Sequence, residues 1–66
     1  MAAATRSAFV AGWYRGALLG EATPREIATE HPEYSIAEVD AFGQGSVDGA
    51  AGDAWRRDRI PDGGTA

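Results

Sequence analysis

Between Ser7 and Gly20 the chain reads SAFVAGWYRGALLG, fourteen consecutive positions with a single charge, Arg15. No other stretch restricts the fold as tightly. At about 100° per residue, Phe9, Trp13, Gly16 and Gly20 fall on one helical stripe at the i, i+4, i+7, i+11 spacing of a core-facing surface. Val10, Tyr14, Ala17 and Leu18 fill the neighbouring stripe, and Gly12 with Leu19 covers much of what remains. A surface helix keeps a broad polar face. This one has only Arg15 to mark solvent, so its own short chain is expected to leave part of it for a neighbour to cover.

Gly12, Gly16 and Gly20 recur every four residues, and each glycine inside a helix costs roughly 1 kcal/mol against alanine. A missing Cβ offsets that cost where another backbone must come close, so a second helix is expected along this groove. The plainer alternative has Gly20 ending the helix at C′, with Gly12 and Gly16 tolerated. The apolar run is shorter than the approximately 20 residues of a membrane span. With only Arg6 ahead of it and no clear cleavage signal, it does not read as a secretory leader.

A chain of 66 residues makes one small domain, in the range where folding buries only about 60% of the unfolded surface. Its hydrophobic fraction is 44%, but fourteen of those residues are alanine and only fifteen are larger. Such thin cores are usually supplemented by disulfides, a metal or oligomerisation. There is no cysteine, and a single histidine does not make a zinc site. Self-association is what remains, and no cofactor or metal is expected. Six arginines with no lysine point to a GC-rich genome, and the lack of cysteine fits a reducing, cytoplasmic setting. Residues 21–53 hold eight acids against Arg25 alone, an acidic middle that disfavours nucleic acid.

The first five residues read as a frayed end, with Thr5 or Ser7 as N-cap. Thr23-Pro24-Arg25-Glu26 is a capping box with proline at N1 and predicts a short helix from Pro24 to about His31, anchored by Ile27 and stopped by Pro32. Ser35 and Glu38 form a second box, with Tyr34 placed to staple onto Val39. The third helix therefore starts at Ile36, with an apolar stripe of Ile36, Val39, Gly43, Val47, Ala50 and Ala54, and is expected to reach about Arg57 with irregularity near Gly52. Residues 1–60 form one helical domain on this reading, and 61–66 a flexible tail. Phe9-x-x-Gly12-x-x-x-Gly16 is echoed by Phe42-x-x-Gly45-x-x-x-Gly49. The echo predicts that the first and third helices pack antiparallel through Gly/Ala-rich faces, with Phe9 and Phe42 at opposite ends.

Residues suited to chemistry are few. His31, between Glu30 and Pro32, reads as a cation at the negative end of a helix. No Cys or Lys nucleophile and no strand-linked phosphate loop is present, so catalysis is not expected. The two capped segments resemble the helix-turn-helix of bacterial regulators, but Ser35, Ile36, Ala37, Glu38 and Asp40 would have to read bases, and two of them are acidic. Arg56, Arg57 and Arg59 beside Trp55 form the one basic cluster, suited to capping the third helix or to an acidic partner or RNA. The two Gly-rich helices, each opened by an aromatic, bear a distant resemblance to ribosome modulation factor, a small two-helix protein. That family is basic and carries Cys-Pro-Tyr, where this chain is acidic and has His31-Pro32-Glu33-Tyr34.

The sequence thus predicts an all-α domain of three helices, long–short–long, acting by binding rather than catalysis. It would homodimerise or dock on a partner protein through Phe9, Gly12, Trp13, Tyr14, Gly16 and Leu18, since aromatic and aliphatic anchors dominate binding energy. Glu26, Glu30, Glu33, Glu38 and Asp40 would form an acidic rim that speeds association with a basic patch. A regulatory or host-directed binder fits this pattern. The alternative is a ribosome- or nucleic-acid-associated factor using Arg56, Arg57 and Arg59.

Overall fold

The computed structural model describes residues 2–52. Three helices occupy them, α1 (Ala2–Leu19), α2 (Pro24–Glu30) and α3 (Ile36–Ala50), with no strand among the described residues. The all-α, long–short–long order matches expectation. α1 begins at Ala2, ahead of the N-cap expected at Thr5 or Ser7, in keeping with alanine being the best helix former. Gly20, at φ 90°, ends α1 in the left-handed region, and its N–H donates to Gly16 O at 2.9 Å.

Both capping boxes form. Glu26 N–H donates to Thr23 Oγ1 at 3.1 Å while Thr23 N–H donates to Glu26 Oε1 at 2.9 Å. Ser35 and Glu38 repeat the exchange at 3.2 and 2.8 Å. Tyr34 and Val39, either side of the second cap, are both partly buried against the core. α3 stops at Ala50 rather than near Arg57, because Gly52 adopts φ 80° and its N–H turns back to Gly49 O at 3.1 Å. Ala54, Trp55, the three arginines after it and the 61–66 tail lie outside the described residues.

The glycines of the echo form the seam between α1 and α3. A Cβ on Gly12 would fall on the Phe42 carbonyl, and one on Gly45 would fall on the Phe9 carbonyl. One turn further on, a Cβ on Gly16 would meet the Ser46 carbonyl and one on Gly49 the Trp13 carbonyl. These positions coincide with a glycine hydrogen, so each carbonyl oxygen faces a Cα–H. Such contacts contribute about 0.5–1 kcal/mol each, which offsets much of the helix-propensity cost of the four glycines. Gly20, by contrast, has nothing within 4 Å of its Cβ direction; it caps and does not pack.

The seam runs parallel, not antiparallel. Gly12 meets Phe42 and Gly16 meets Ser46; Phe9 meets Gly45 and Trp13 meets Gly49, so both helices advance together. Adding 33 to the α1 residue and subtracting 33 from the α3 residue turns Gly12–Phe42 into Gly45–Phe9 and Gly16–Ser46 into Gly49–Trp13, so α1 and α3 are related by a pseudo-two-fold axis along the seam. The physical reason is topological. α2 is a return leg: Ala22 N–H donates to Ser46 Oγ at 3.0 Å near the top of α3, and His31 and Tyr34 stack near Phe42 lower down. Up, back and up again leaves the two long helices co-directional, and Phe9 and Phe42 share one end of the seam.

Ala8, Phe9, Ile27, Ala41 and Phe42 make the buried core. The apolar stripe expected on α3 is not this face: Ile36 is 91% exposed and Val47 40%, while Ala41, Phe42, Gly45, Ser46 and Gly49 are buried. α3 occupies the middle, with α1 along one side and α2 on another, and α1 and α2 touch only marginally. The Cα atoms span 27 × 27 × 11 Å, a flattened shape.

Candidate interaction surface

α1 is covered by α3 on one side, and the opposite side is bare. On the helical projection Tyr14 and Leu18 lie diametrically across from Gly12 and Gly16, and they are 56% and 80% exposed. Ala3, Ser7 and Ala11 continue the same outward stripe and are exposed as well. Small residues thus recur every four positions here too, ahead of two large apolar anchors. Leu19 is 76% exposed at the helix end.

Arg15, the expected solvent marker, does not serve as one. Its side chain is only 17% exposed and lies 3.9 Å from Glu26 Oε1. Its guanidinium donates to the Gly20 carbonyl, covering the end of α1. Arg6, the other charge of α1, is also partly buried. The exposed residues of α1 therefore carry no charge, in a chain whose net charge is −4.

The six residues expected at an interface divide between two faces. Phe9, Gly12 and Gly16 are buried in the seam with α3 and present nothing to a partner, so that part of the expectation is corrected: the internal helix takes the close-approach surface. Trp13 is partly buried, its ring edge-on to Tyr14 with centroids 5.2 Å apart. Tyr14 and Leu18 remain outward. The expected acidic rim likewise splits by role. Glu26 and Glu38 hold the capping boxes, and Glu33 lies 3.3 Å from His31 Nδ1. Glu30 and Asp40 are exposed. Thr23's hydrogen bonds, with Arg15 contributing less, hold the Glu26 carboxyl below its ordinary pKa, while burial lifts the Tyr34 phenol above its own, aided by Glu33 and Glu38.

His31 sits at the C-cap of α2, its N–H donating to Ile27 O at 2.8 Å. Its ring stacks on Tyr34 with centroids 4.4 Å apart, in a cluster completed by Phe42. No group of three His, Cys, Asp or Glu side chains converges as a metal site among the described residues, and no helix among them is long and apolar enough to cross a membrane. Sequence reasoning missed a second apolar surface, a trough of about 700 Å³ between α2 and α3. The signal was present in the Ile36–Val39–Gly43–Val47 stripe, an apolar face of α3 separate from the one that meets α1. No family model, curated protein or solved structure matches the chain.

Proposed function

We propose that the protein is a non-catalytic interaction module that self-associates through the outer face of α1, with Tyr14 and Leu18 as anchors. The observation that carries this reading is the absence of charge on the exposed residues of α1, in an otherwise acidic chain. Two copies can meet there without desolvating a charge or opposing like charges, and the Ala3–Ser7–Ala11 stripe permits close approach. Burying a large apolar side chain yields roughly 1.5–3 kcal/mol. Four such anchors across a two-fold interface contribute roughly 6–12 kcal/mol against an association cost of about 4 kcal/mol or more, so they support a dimer with a Kd of about 1 μM at the tightest and a weaker one otherwise.

Sedimentation of the wild type across that concentration range tests the reading, beside Leu18→Glu and Tyr14→Glu. The expected result is a wild-type dimer and monomeric variants of unchanged helicity. A wild type that stays monomeric throughout would refute self-association. The alternative, a ribosome- or nucleic-acid-associated factor, draws on the resemblance above and on the cluster of Arg56, Arg57 and Arg59 beside Trp55 in the sequence. RNA affinity that falls steeply with salt would favour it.

A further inference from the structure

The α3 wall of the trough presents Ile36, Val39, Gly43 and Val47 at i, i+3, i+7 and i+11, a line about 16 Å long. The opposite wall is the short helix α2, through Pro24 and Ala28. Asp40 is the one charged residue in the lining, and Gln44 follows it one turn along α3. Glu26 and Glu38 are engaged in caps and Glu33 with His31, but the side chains of Asp40 and Gln44 make no hydrogen bond or ion pair among the described residues. We infer that the trough receives a helix from a partner protein, carrying an apolar stripe and an arginine or lysine that reaches Asp40.

Shape and charge both select that occupant. Three turns of α3 bound the trough on one side, and its floor is low: Ala28 and Gly43 are short, and a Cβ on Gly43 would meet only Ile27 Cδ1 at 3.5 Å. Ile36 and Val47, both exposed, stand at the two ends. A helix of about three turns laid between them seats large apolar side chains at i, i+3 or i+4, and i+7, the spacing by which helices dock in grooves. A wholly apolar occupant would strip water from the Asp40 carboxylate and give nothing back. A guanidinium or ammonium replaces that water, and the Gln44 carboxamide oxygen, one turn away, offers it a second acceptor. Over residues 21–52 the chain holds seven acids against one arginine, Arg25, which lies outside the lining. Their field draws a basic partner in and opposes a second copy of the same acidic surface. The outer face of α1, the uncharged side of a second copy, has nothing to pair with Asp40. The inference stands on a different surface from self-association and does not depend on it.

The probe is a displayed library of helical peptides of about 18 residues, long enough to hold a helix, in which arginine, glutamate, glutamine, leucine and alanine are all allowed at the surface positions. It is selected against the full chain at concentrations below any self-association. The expected binders carry leucines at i, i+3 or i+4, and i+7, with an arginine beside them. Asp40→Asn and Ile36→Asn, both at exposed positions and so without effect on helicity, should each weaken them about tenfold, and Leu18→Glu should leave them unchanged. Selected peptides that bind Asp40→Asn as tightly as wild type overturn the proposal, as does a selection that yields no peptide sensitive to Ile36→Asn. So does a shift of the Val39 and Gly43 amide resonances in the chain alone that grows with its own concentration, which would assign the trough to a second copy.

Discussion

α3 is gripped on two sides by different physics. Against α1 it offers Gly45 and Gly49, and backbone lies on backbone with no side chain between. On the other side it receives one aliphatic anchor from α2, Ile27, holds the Ala22 amide through the hydroxyl of Ser46, and is joined to a helix whose cap, like its own, is closed by a carboxylate. The first contact is short-range and unforgiving of added volume. The second is made of separable pieces, each worth about 1 kcal/mol or a little more. A chain this small can hold a seven-residue helix by the second means, but the two long helices that define its shape need the first.

Glycine-to-alanine substitution separates the two sides most sharply. Gly45→Ala and Gly12→Ala each put a methyl group into a carbonyl across the seam, and backbone cannot swing aside as a side chain can. The helices must part, at a cost of roughly 1–3 kcal/mol for overpacking, a large share of the stability of so small a domain. The pseudo-two-fold relation further predicts that the two variants cost nearly the same. Gly43 faces α2, where a Cβ would meet only Ile27 Cδ1 at an ordinary 3.5 Å. Gly43→Ala should therefore stabilise, by up to about 1 kcal/mol of helix propensity. Thermal melts of the three variants decide the matter; a stable Gly45→Ala would mean that the long helices are not in backbone contact.

Ser46→Ala comes next in size. The buried hydroxyl accepts from Ala22 N–H at 3.0 Å and donates to Gly43 O at 2.8 Å, fastening the return leg to α3. Removing it strands the Ala22 amide, at about 1–3 kcal/mol. The expected outcome is faster exchange of the Ala22 amide and the first turn of α2, with the seam retaining its protection. Equal loss on both sides would make the two grips one cooperative unit.

How far the fold was legible follows the same division. Local signals were read well: the Thr23 and Ser35 boxes fixed the starts of α2 and α3 to the residue, because capping is a contact between near neighbours. The seam was half legible. The Phe9/Phe42 echo identified both glycine faces, but a repeated motif has no arrow in it, and only the return of the chain through α2 sets the two helices parallel. Periodicity misled on α3, which has two apolar stripes: Phe42–Gly45–Gly49 meets α1, while Ile36–Val39–Gly43–Val47 lines the trough. Charge misled at Arg15, whose long side chain folds down to the Gly20 carbonyl and leaves the outer face of α1 neutral. The candidate surface was legible only in Tyr14 and Leu18, since side-chain type does not say which of two opposite faces a neighbour takes.

The smallest expected effect comes from pH, and it too distinguishes the two sides. Glu26 accepts from Thr23 within the cap, which lowers its carboxyl below 4.5 in the folded state. A lowered acid binds fewer protons folded than unfolded, so its contribution is complete above the ordinary glutamate range and is lost as pH falls through the lowered value. Tyr34 works from the other end. Its phenol is raised above 10.0, so folding favours the neutral form, and that contribution fades as pH climbs past 10.0 toward the raised value. Both groups belong to the α2 side, whereas the four close contacts of the seam are backbone to backbone and carry no proton to lose. Amide protection factors measured from acid to alkaline pH should therefore fall first at Ile27 and His31, whose N–H groups close the turns of α2, while seam amides such as Gly16 and Gly49 hold. A simultaneous decline would show that α2 does not open by itself, and that its caps and the glycine seam share one unfolding step.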